Sequence, residues 1–200
     1  MIEDKVAVNG TSWSVVAETI RTRRSNLNVD LDRRVPRELV EELVDLAALA
    51  PNHYRTNPGR FVVLTGNARV RLGNVVAGVL AGQPDSKEAV VERQRAQFLR
   101  APACLVVASA GDEDPIKHFE NKHAVAAGIQ NILVGATAAG LASAWKSGPA
   151  MVDPAVTAAV KEELELSPND EIVGIVYLGY PIGAPGARPP VQAQVRFLDE

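Results

Sequence analysis

The chain has 200 residues, a length typical of one domain or of one domain that completes its core by dimerising. Hydrophobic residues make up 46% and charged residues 22%, which is ordinary for a soluble globular protein. The formal net charge of -3 argues against a general nucleic-acid binder, because such a protein needs a basic face.

Hydrophobic periodicity and helix-ending residues divide the chain into elements. In chain order, we predict a loose leader over 1–10, a helix over 13–24, a polar loop over 26–34, a helix over 35–50, a strand over 61–64, surface helices over 67–81 and 86–99, a strand over 103–110, a helix over 115–144, a helix opening at Asp153-Pro154, a strand over 172–178 and a proline-rich tail. Residues 11–182 are predicted to form one domain, and 183–200 an arm whose end could add to a sheet as an edge strand.

Prolines and acidic residues mark two of the helix starts. Pro36 suits the first position of the helix over 35–50, and Asp153 suits the N-cap that precedes Pro154. Pro51 is predicted to end the earlier helix, because proline disfavours the helical conformation of the residue before it. The predicted apolar faces of the first two helices consist of Trp13, Val16, Ala17 and Ile20, and of Leu39, Leu43, Leu46, Ala47 and Ala50.

The pattern predicts an α+β fold with a mixed sheet flanked by helices. No Gly-x-Gly-x-x-Gly follows a predicted strand, so the fingerprint of a doubly wound dinucleotide-binding sheet is missing. Gly135 and Gly140 have the spacing of a P-loop, but Leu141 and Ala142 stand where that loop needs Lys and Ser or Thr. The sequence therefore argues against nucleotide hydrolysis.

Other catalytic patterns are also missing. The sequence has neither a Gly-x-Ser-x-Gly elbow nor a His-Glu-x-x-His helix. His118 and His123 are five residues apart and fall on different faces of a helix, so we predict no metal site from them. Cys104 is the only cysteine and lies in a predicted buried strand, which favours an inert thiol and a reducing cytoplasm.

The segment 124–144 is almost free of charge and could be mistaken for a membrane span. It contains Gln130 and Asn131 and is rich in Ala and Gly rather than in Leu, Ile and Phe. Small residues let helix backbones pack closely. We therefore predict no membrane segment, and expect this long helix at the centre of a homodimer.

Two polar motifs flank the helix over 35–50. A basic cluster, Arg21-Thr22-Arg23-Arg24-Ser25, precedes it, and a loop that begins Ala50-Pro51-Asn52-His53 follows it. Guanidinium groups beside a hydroxyl suit a phosphate or a polarised carbonyl, because they donate in a rigid fork. A solvated helix end is the alternative for the cluster, since cations favour the C-terminal end of a helix dipole.

At these motifs the chain resembles the nitroreductase family of FMN-dependent oxidoreductases, especially its small members. The family's Arg-Arg-Ser stands here as Arg23-Arg24-Ser25, and its Ala-Pro-polar-His loop ends at His53. Two later segments continue the resemblance in order: Ser143-Ala144-Trp145-Lys146-Ser147-Gly148, and 171–181 with its Leu-Gly-Tyr-Pro turn. The four matches span roughly residues 14 to 182.

The resemblance implies an FMN site at the interface of a homodimer. It assigns Arg23, Arg24 and Ser25 to the phosphate, the ribityl chain or the N1/O2 edge of the ring, with Trp145, Lys146 and Ser147 as a second set. It also implies that His53 and Leu49 reach the flavin from the other subunit. The alternatives are a solvent-exposed loop histidine and a leucine that faces the core. Gly135 and Gly140 lie in a segment that small members associate with the nicotinamide donor, with tight helix packing as the alternative.

The implied activity is reduction of FMN by NADH or NADPH, followed by reduction of a nitroaromatic, quinone or similar small acceptor in a ping-pong cycle. No acid or base side chain is required, because the flavin does the chemistry. Two alternatives stay open: a non-catalytic flavin-binding protein, and a flavoenzyme of the same fold that dehalogenates or cleaves flavin.

The chain departs from the family at two positions. Gly59 stands after Asn57-Pro58 where many members have an aromatic residue, and this puts the shape of the acceptor pocket in doubt. Lys146 stands where small relatives often have arginine, which keeps the charge but removes bidentate geometry.

Overall fold

The computed structural model describes residues 11–187 and 189–198. The predicted leader over 1–10 therefore lies outside the described residues. The helices are α1 (Thr11–Thr22), α2 (Arg37–Ala48), α3 (Asn67–Ala81), α4 (Glu88–Arg95), α5 (Pro115–Ala138), α6 (Pro149–Val152) and α7 (Pro154–Glu163). The strands are β1 (Gly59–Thr65), β2 (Ala103–Ser109), β3 (Ala142–Lys146) and β4 (Glu171–Gly179).

The four strands form one sheet in the order β1-β2-β4-β3. Every pair is antiparallel, and the β2–β4 register shifts between Val107 and Ala108. The only parallel contact within the described residues is an isolated bridge between Ser25 and Ser143. The predicted α+β class is confirmed. The four strands of the sheet are all antiparallel to their neighbours, so the predicted mixture of parallel and antiparallel pairing is limited to that bridge.

Helices cover both faces of this sheet. On one face, α2 and α5 pack against alternate strand residues. On the other face, α3, α4 and α7 pack against the intervening residues. The predicted surface helix α3 thus has a substantial buried side, formed by Leu72, Gly73, Val76, Ala77 and Leu80.

Several helix boundaries differ from prediction, and α1 spans Thr11–Thr22 rather than 13–24. The second helix begins at Arg37, so Pro36 is its N-cap residue rather than its first helical residue, and it ends at Ala48. The helix predicted over 86–99 is α4 followed by a separate 3-10 turn, Gln97–Leu99. Asp153 caps α7 as expected, because its side chain accepts hydrogen bonds from the amides of Ala155 and Val156.

The largest correction concerns the helix predicted over 115–144. Helix α5 ends at Ala138, and the chain turns at Gly140, whose φ is +75°. A positive φ is cheap only for glycine, so this residue breaks the alanine-rich run. Residues 142–146 then form β3, which pairs with β4 on the edge of the sheet.

Several apolar surfaces stay exposed in the single chain. Trp13, Val16 and Ile20 of the predicted apolar face of α1 are exposed, and only Ala17 is buried. The described part of the tail after Gly183 forms no strand, so the predicted edge strand is not observed there. Its apolar side chains are also exposed, namely Val191, Val195, Phe197 and Leu198. No helix among the described residues is long and apolar enough to cross a membrane.

Candidate functional site

The basic cluster lies beside the edge strand β3. Ser25 pairs with Ser143 in a parallel bridge, and the amide of Asn26 donates to the carbonyl oxygen of Ser143 at 3.0 Å. Helix α1 ends at Thr22, and the next residues run along β3. The fold thus brings together two sequence motifs that are more than a hundred residues apart.

Two buried polar atoms stand out at this junction. Nη1 of Arg24 donates to the carbonyl oxygens of Arg21 and Arg23, at 2.6 and 2.9 Å. Nε of the same guanidinium and Oγ of Ser143 are buried, and neither has a hydrogen-bond partner among the described residues. A buried donor without an acceptor costs free energy, about 1–3 kcal/mol, so these atoms suit a bound acceptor such as a phosphate or a flavin carbonyl.

Trp145 lies two residues after Ser143 on the same strand, where Ser143 pairs with Leu178 and Trp145 pairs with Val176. Its indole Nε1 lies 3.4 Å from the carbonyl oxygen of Val173, to which it donates, and its ring lies against Gly174. A Cβ atom at Gly174 would lie 1.9 Å from that nitrogen, so only glycine leaves room for the indole. Lys146 and Ser147, the other members of this set, are exposed.

The second motif forms a well-defined loop after α2. Asn52 Oδ1 accepts a hydrogen bond from the amide of Thr56 at 2.9 Å. Arg55 and Asn57 have φ values of 53° and 48°. Non-glycine residues in this conformation cost energy and often occur at functional sites. Leu49 precedes the loop and is 77% exposed, so the alternative that it faces the core is wrong.

Within one chain the two motifs lie at opposite ends of α5. The loop contacts the N-terminal part of this helix, where His53 Nδ1 lies 2.9 Å from Glu120 Oε2. The basic cluster lies beside Ser143, just beyond the C-terminal end. At 1.5 Å per residue the 24 residues of α5 extend about 36 Å. The single chain therefore does not bring His53 to Arg24 and Ser25.

Comparisons with known proteins identify the family of this chain. A model of the Nitroreductase family matches residues 20–180. The chain belongs to the nitroreductase family. It is 29% identical to a Bacillus subtilis (strain 168) protein, provisionally named NAD(P)H nitroreductase YfhC, over 93% of this chain and 94% of that protein.

Solved structures of nitroreductase proteins share the fold. A nitroreductase-like family protein from Bacillus cereus has a TM-score of 0.77 and 29% identity, covering 88% of this chain and 91% of its own. A nitroreductase from Bacteroides fragilis NCTC 9343, crystallised with bound FMN, has a TM-score of 0.72 and 25% identity, covering 92% and 98%. The recognition of the family from the sequence is confirmed.

In this member of the nitroreductase family, the two glycines suggested for the nicotinamide donor have clear structural uses. A Cβ atom at Gly135 would lie 2.8 Å from Cδ2 of Leu43, so this glycine lets α5 approach α2 closely. Gly140 makes the turn into β3. The packing alternative fits Gly135, whereas Gly140 has open space around it and serves the turn instead. A role of either residue toward the donor stays a prediction.

The remaining reactive side chains have structural partners. Cys104 is fully buried, and burial raises the pKa of its thiol to about 12, so the predicted inert thiol fits the structure. His118 Nε2 lies 3.2 Å from Glu171 Oε2, and His123 Nδ1 lies 2.7 Å from the carbonyl oxygen of Phe119. No group of three potential metal ligands occurs in the part of the chain that is described.

Sequence reasoning missed three residues that shape the candidate site. Glu120 contacts His53, and Asn121 contacts Thr56, although nothing in the local pattern of α5 distinguishes them. Gly174 could have been recognised from the sequence, because a glycine inside a strand often marks a place where another group lies close to the backbone.

Proposed function

We propose that this protein is an FMN-dependent oxidoreductase that uses NADH or NADPH to reduce nitroaromatic, quinone or similar electron-poor acceptors. The observation that carries the proposal is the junction of Arg24 and Ser143, where two buried polar atoms have no partner among the described residues. The bound FMN in the Bacteroides fragilis relative supports the cofactor, and the name of YfhC supports the nicotinamide donor.

The residues of this junction fit a flavin mononucleotide. Arg23, Arg24 and Ser25 offer cationic and hydroxyl donors to the phosphate, the ribityl chain or the N1/O2 edge of the ring. Lys146 and Ser147 offer a second set at the end of the same edge strand. When bound, FMN supplies the hydride chemistry between donor and acceptor. A fixed cation near N1 and O2 favours the negative charge that reduction builds there, and this is the main electrostatic task of the protein.

We further propose that the working form is a homodimer with each flavin held between two subunits. The separation of His53 from Arg24 along α5 supports this arrangement, because a second copy could bring the missing half of the site. The outward side of α5 is uncharged from His123 to Ala138, which suits a helix surface covered by another subunit. We propose that the exposed arm after Gly183 packs on that subunit. We also propose that the nicotinamide donor and the acceptor occupy the same site one after the other.

An absorbance experiment tests the activity. The purified protein is mixed with FMN, and spectra are recorded before and after anaerobic addition of NADH or NADPH. We expect flavin bands that bleach with at least one donor and return when a quinone or nitroaromatic compound is added. Bound flavin that stays oxidised would favour a carrier instead, and absence of flavin binding would overturn the proposal.

A pair of variants connects this test to the site. Replacing Arg23 and Arg24 by Ala is expected to abolish retention of FMN while leaving the circular dichroism spectrum unchanged. A matched control replaces two exposed arginines on α3 and α4, Arg71 and Arg93, by Ala. This control removes the same charge and is expected to keep FMN bound.

A further inference from the structure

His53 is held in one orientation although it is exposed. Its Nδ1 atom lies 2.9 Å from Oε2 of Glu120, a residue 67 positions later in the chain. The ring of Tyr54 lies against the imidazole, with 4.4 Å between ring centroids. Even so, 70% of the His53 side chain is exposed. Fixing a side chain costs rotational entropy. An exposed ring that is already oriented has paid this cost before it contacts another molecule, which favours binding.

The loop that carries this ring also contacts the same part of α5 through the side chain of Thr56. Asn121, the neighbour of Glu120, hydrogen-bonds through its Oδ1 to the hydroxyl of Thr56. Asn121 Nδ2 lies 3.4 Å from the carbonyl oxygen of Ala110, to which it donates, so the amide is itself held in place. Two consecutive residues of α5 therefore hold this loop, Asn121 through the hydroxyl of Thr56 and Glu120 through the imidazole of His53.

The contact with Glu120 also determines the tautomer of His53. An ionised carboxylate can only accept a hydrogen bond, so Nδ1 carries the proton and donates it. Nε2 is then the ring nitrogen that is left for another molecule. A carboxylate that orients a functional histidine in this way is a recurrent device, because it selects both the tautomer and the ring direction.

The other two histidines provide internal references. The amide of Asp112 donates to Nδ1 of His118, so the proton of this ring is on Nε2, which donates to Glu171. The carbonyl oxygen of Phe119 accepts from Nδ1 of His123. The chain has three histidines, and the structure thus gives two of them an Nδ1 proton and one an Nε2 proton.

We infer that Glu120 is a positioning residue, which orients His53 so that its Nε2 atom meets the flavin held by the other subunit. This inference rests on the proposed function, since it needs a flavin at the junction of Arg24 and Ser143. Glu120 itself does not contact the flavin in this assignment. Its effect on the cofactor is transmitted by the imidazole of His53 alone.

Binding of FMN to the full-length protein tests this dependence. Glu120→Ala and His53→Ala are each expected to weaken FMN binding about tenfold, which corresponds to about 1.4 kcal/mol. The double variant is expected to bind no more weakly than either single variant, because both changes remove the same contact. Glu120→Gln is expected to retain most of the affinity, since its amide oxygen still accepts from Nδ1. Glu88→Ala, which removes an exposed carboxylate on α4, is the matched control and should bind as wild type does.

Nitrogen-15 spectra of the histidine side chains, recorded without FMN, test the orientation directly. We expect Nδ1-protonated His53 and Nε2-protonated His118 in the wild-type protein. In Glu120→Ala the His53 signals should change to a mixture of tautomers, while those of His118 stay unchanged. A merely structural role of Glu120 would alter thermal stability without this selective change.

The outcomes separate this inference from the function on which it rests. Failure of the wild-type protein to bind FMN would overturn the proposed function. Normal FMN binding by wild type and by Glu120→Ala, or independent losses that multiply in the double variant, would overturn the role of Glu120 and leave the function intact.

Discussion

Ser25 pairs with Ser143, and this bridge attaches the end of the arginine cluster to the strand that carries Trp145. The cluster is consequently fixed to the edge of the sheet rather than to a freely moving helix end. The buried hydroxyl of Ser143 lies where the two segments meet, and it has no partner among the described residues.

The first prediction concerns this hydroxyl. Ser143→Ala is expected to leave the flavin-free protein as stable as wild type or to stabilise it by about 1 kcal/mol, since an unpaired buried hydroxyl is costly. The same change is expected to weaken FMN binding. Urea unfolding without FMN and a flavin titration measure the two effects. Ser109→Ala is the control: its buried hydroxyl donates to the carbonyl oxygen of Ala110, so its loss should destabilise.

The second prediction uses the separation of His53 from Arg24. In the proposed homodimer, Arg24→Ala alone or His53→Ala alone leaves both sites defective. When the two variants are unfolded together and refolded, mixed dimers should contain one intact site and one doubly defective site. Flavin-dependent activity should therefore rise above that of either variant alone. Activity that stays at the parental level in mixed dimers would show that each site is built from a single subunit.

The third prediction concerns the place of Trp145. Gly174→Ala puts a methyl group into the space of the indole, and overpacking of this kind costs about 1–3 kcal/mol. Fluorescence of Trp145 in a Trp13→Phe background should shift, and FMN affinity should fall. Gly78→Ala is the control, because this helical glycine has open space around it and alanine favours a helix by about 0.5–1 kcal/mol.

The fourth prediction is a dependence of stability on pH. Burial opposes ionisation of Glu171, but hydrogen bonds and charges from Lys122 and His118 outweigh it and lower its pKa below the usual 4.5. The lowered pKa contributes stability that is present above pH 4.5 and is lost as the pH falls through the folded-state pKa.

Urea unfolding between pH 7 and pH 3 measures this contribution. Wild type should lose more stability below about pH 4.5 than Glu171→Gln does, by about 1 kcal/mol or less, because the group is partly exposed. Glu88→Gln should follow the wild-type curve. Parallel curves for Glu171→Gln and wild type would contradict the assignment.

The fifth prediction concerns Cys104. Its thiol is inaccessible, and its pKa of about 12 leaves little thiolate at neutral pH. A disulfide reagent should not react with the native protein and should label one thiol per chain in denaturant. Rapid labelling of the folded protein would show that β2 is exposed by local opening.

Local patterns were sufficient for several elements. The bounds of α3 were predicted to the residue, and the start of α7 follows from Asp153 as its N-cap and Pro154 as its first residue. The buried strands β2 and β4 were evident as continuous apolar runs. The candidate site residues on the two sides of α2 rest on the resemblance, in which four weak motifs occur in the right order, and they stay a prediction.

Contacts between distant parts of the chain account for what the sequence did not show. Residues 139–144 consist mostly of alanine and glycine with Leu141, and they read as a continuation of α5. Only pairing with β4 on one edge and with Ser25 on the other makes 142–146 a strand. Glu120 is similar, since its contact with His53 exists only after α2 and α5 pack together.

The length of helix α5 determines the distance between the two halves of the proposed site. Its N-terminal part holds His53, and its C-terminal end leads through one turn to Ser143. Deleting a single residue from its middle would shorten it by about 1.5 Å and rotate one end by about 100° relative to the other. Glu120 would then face away from the loop even though every side chain of the site were still present. In the proposed site, the length of a helix that carries no catalytic group is itself a requirement.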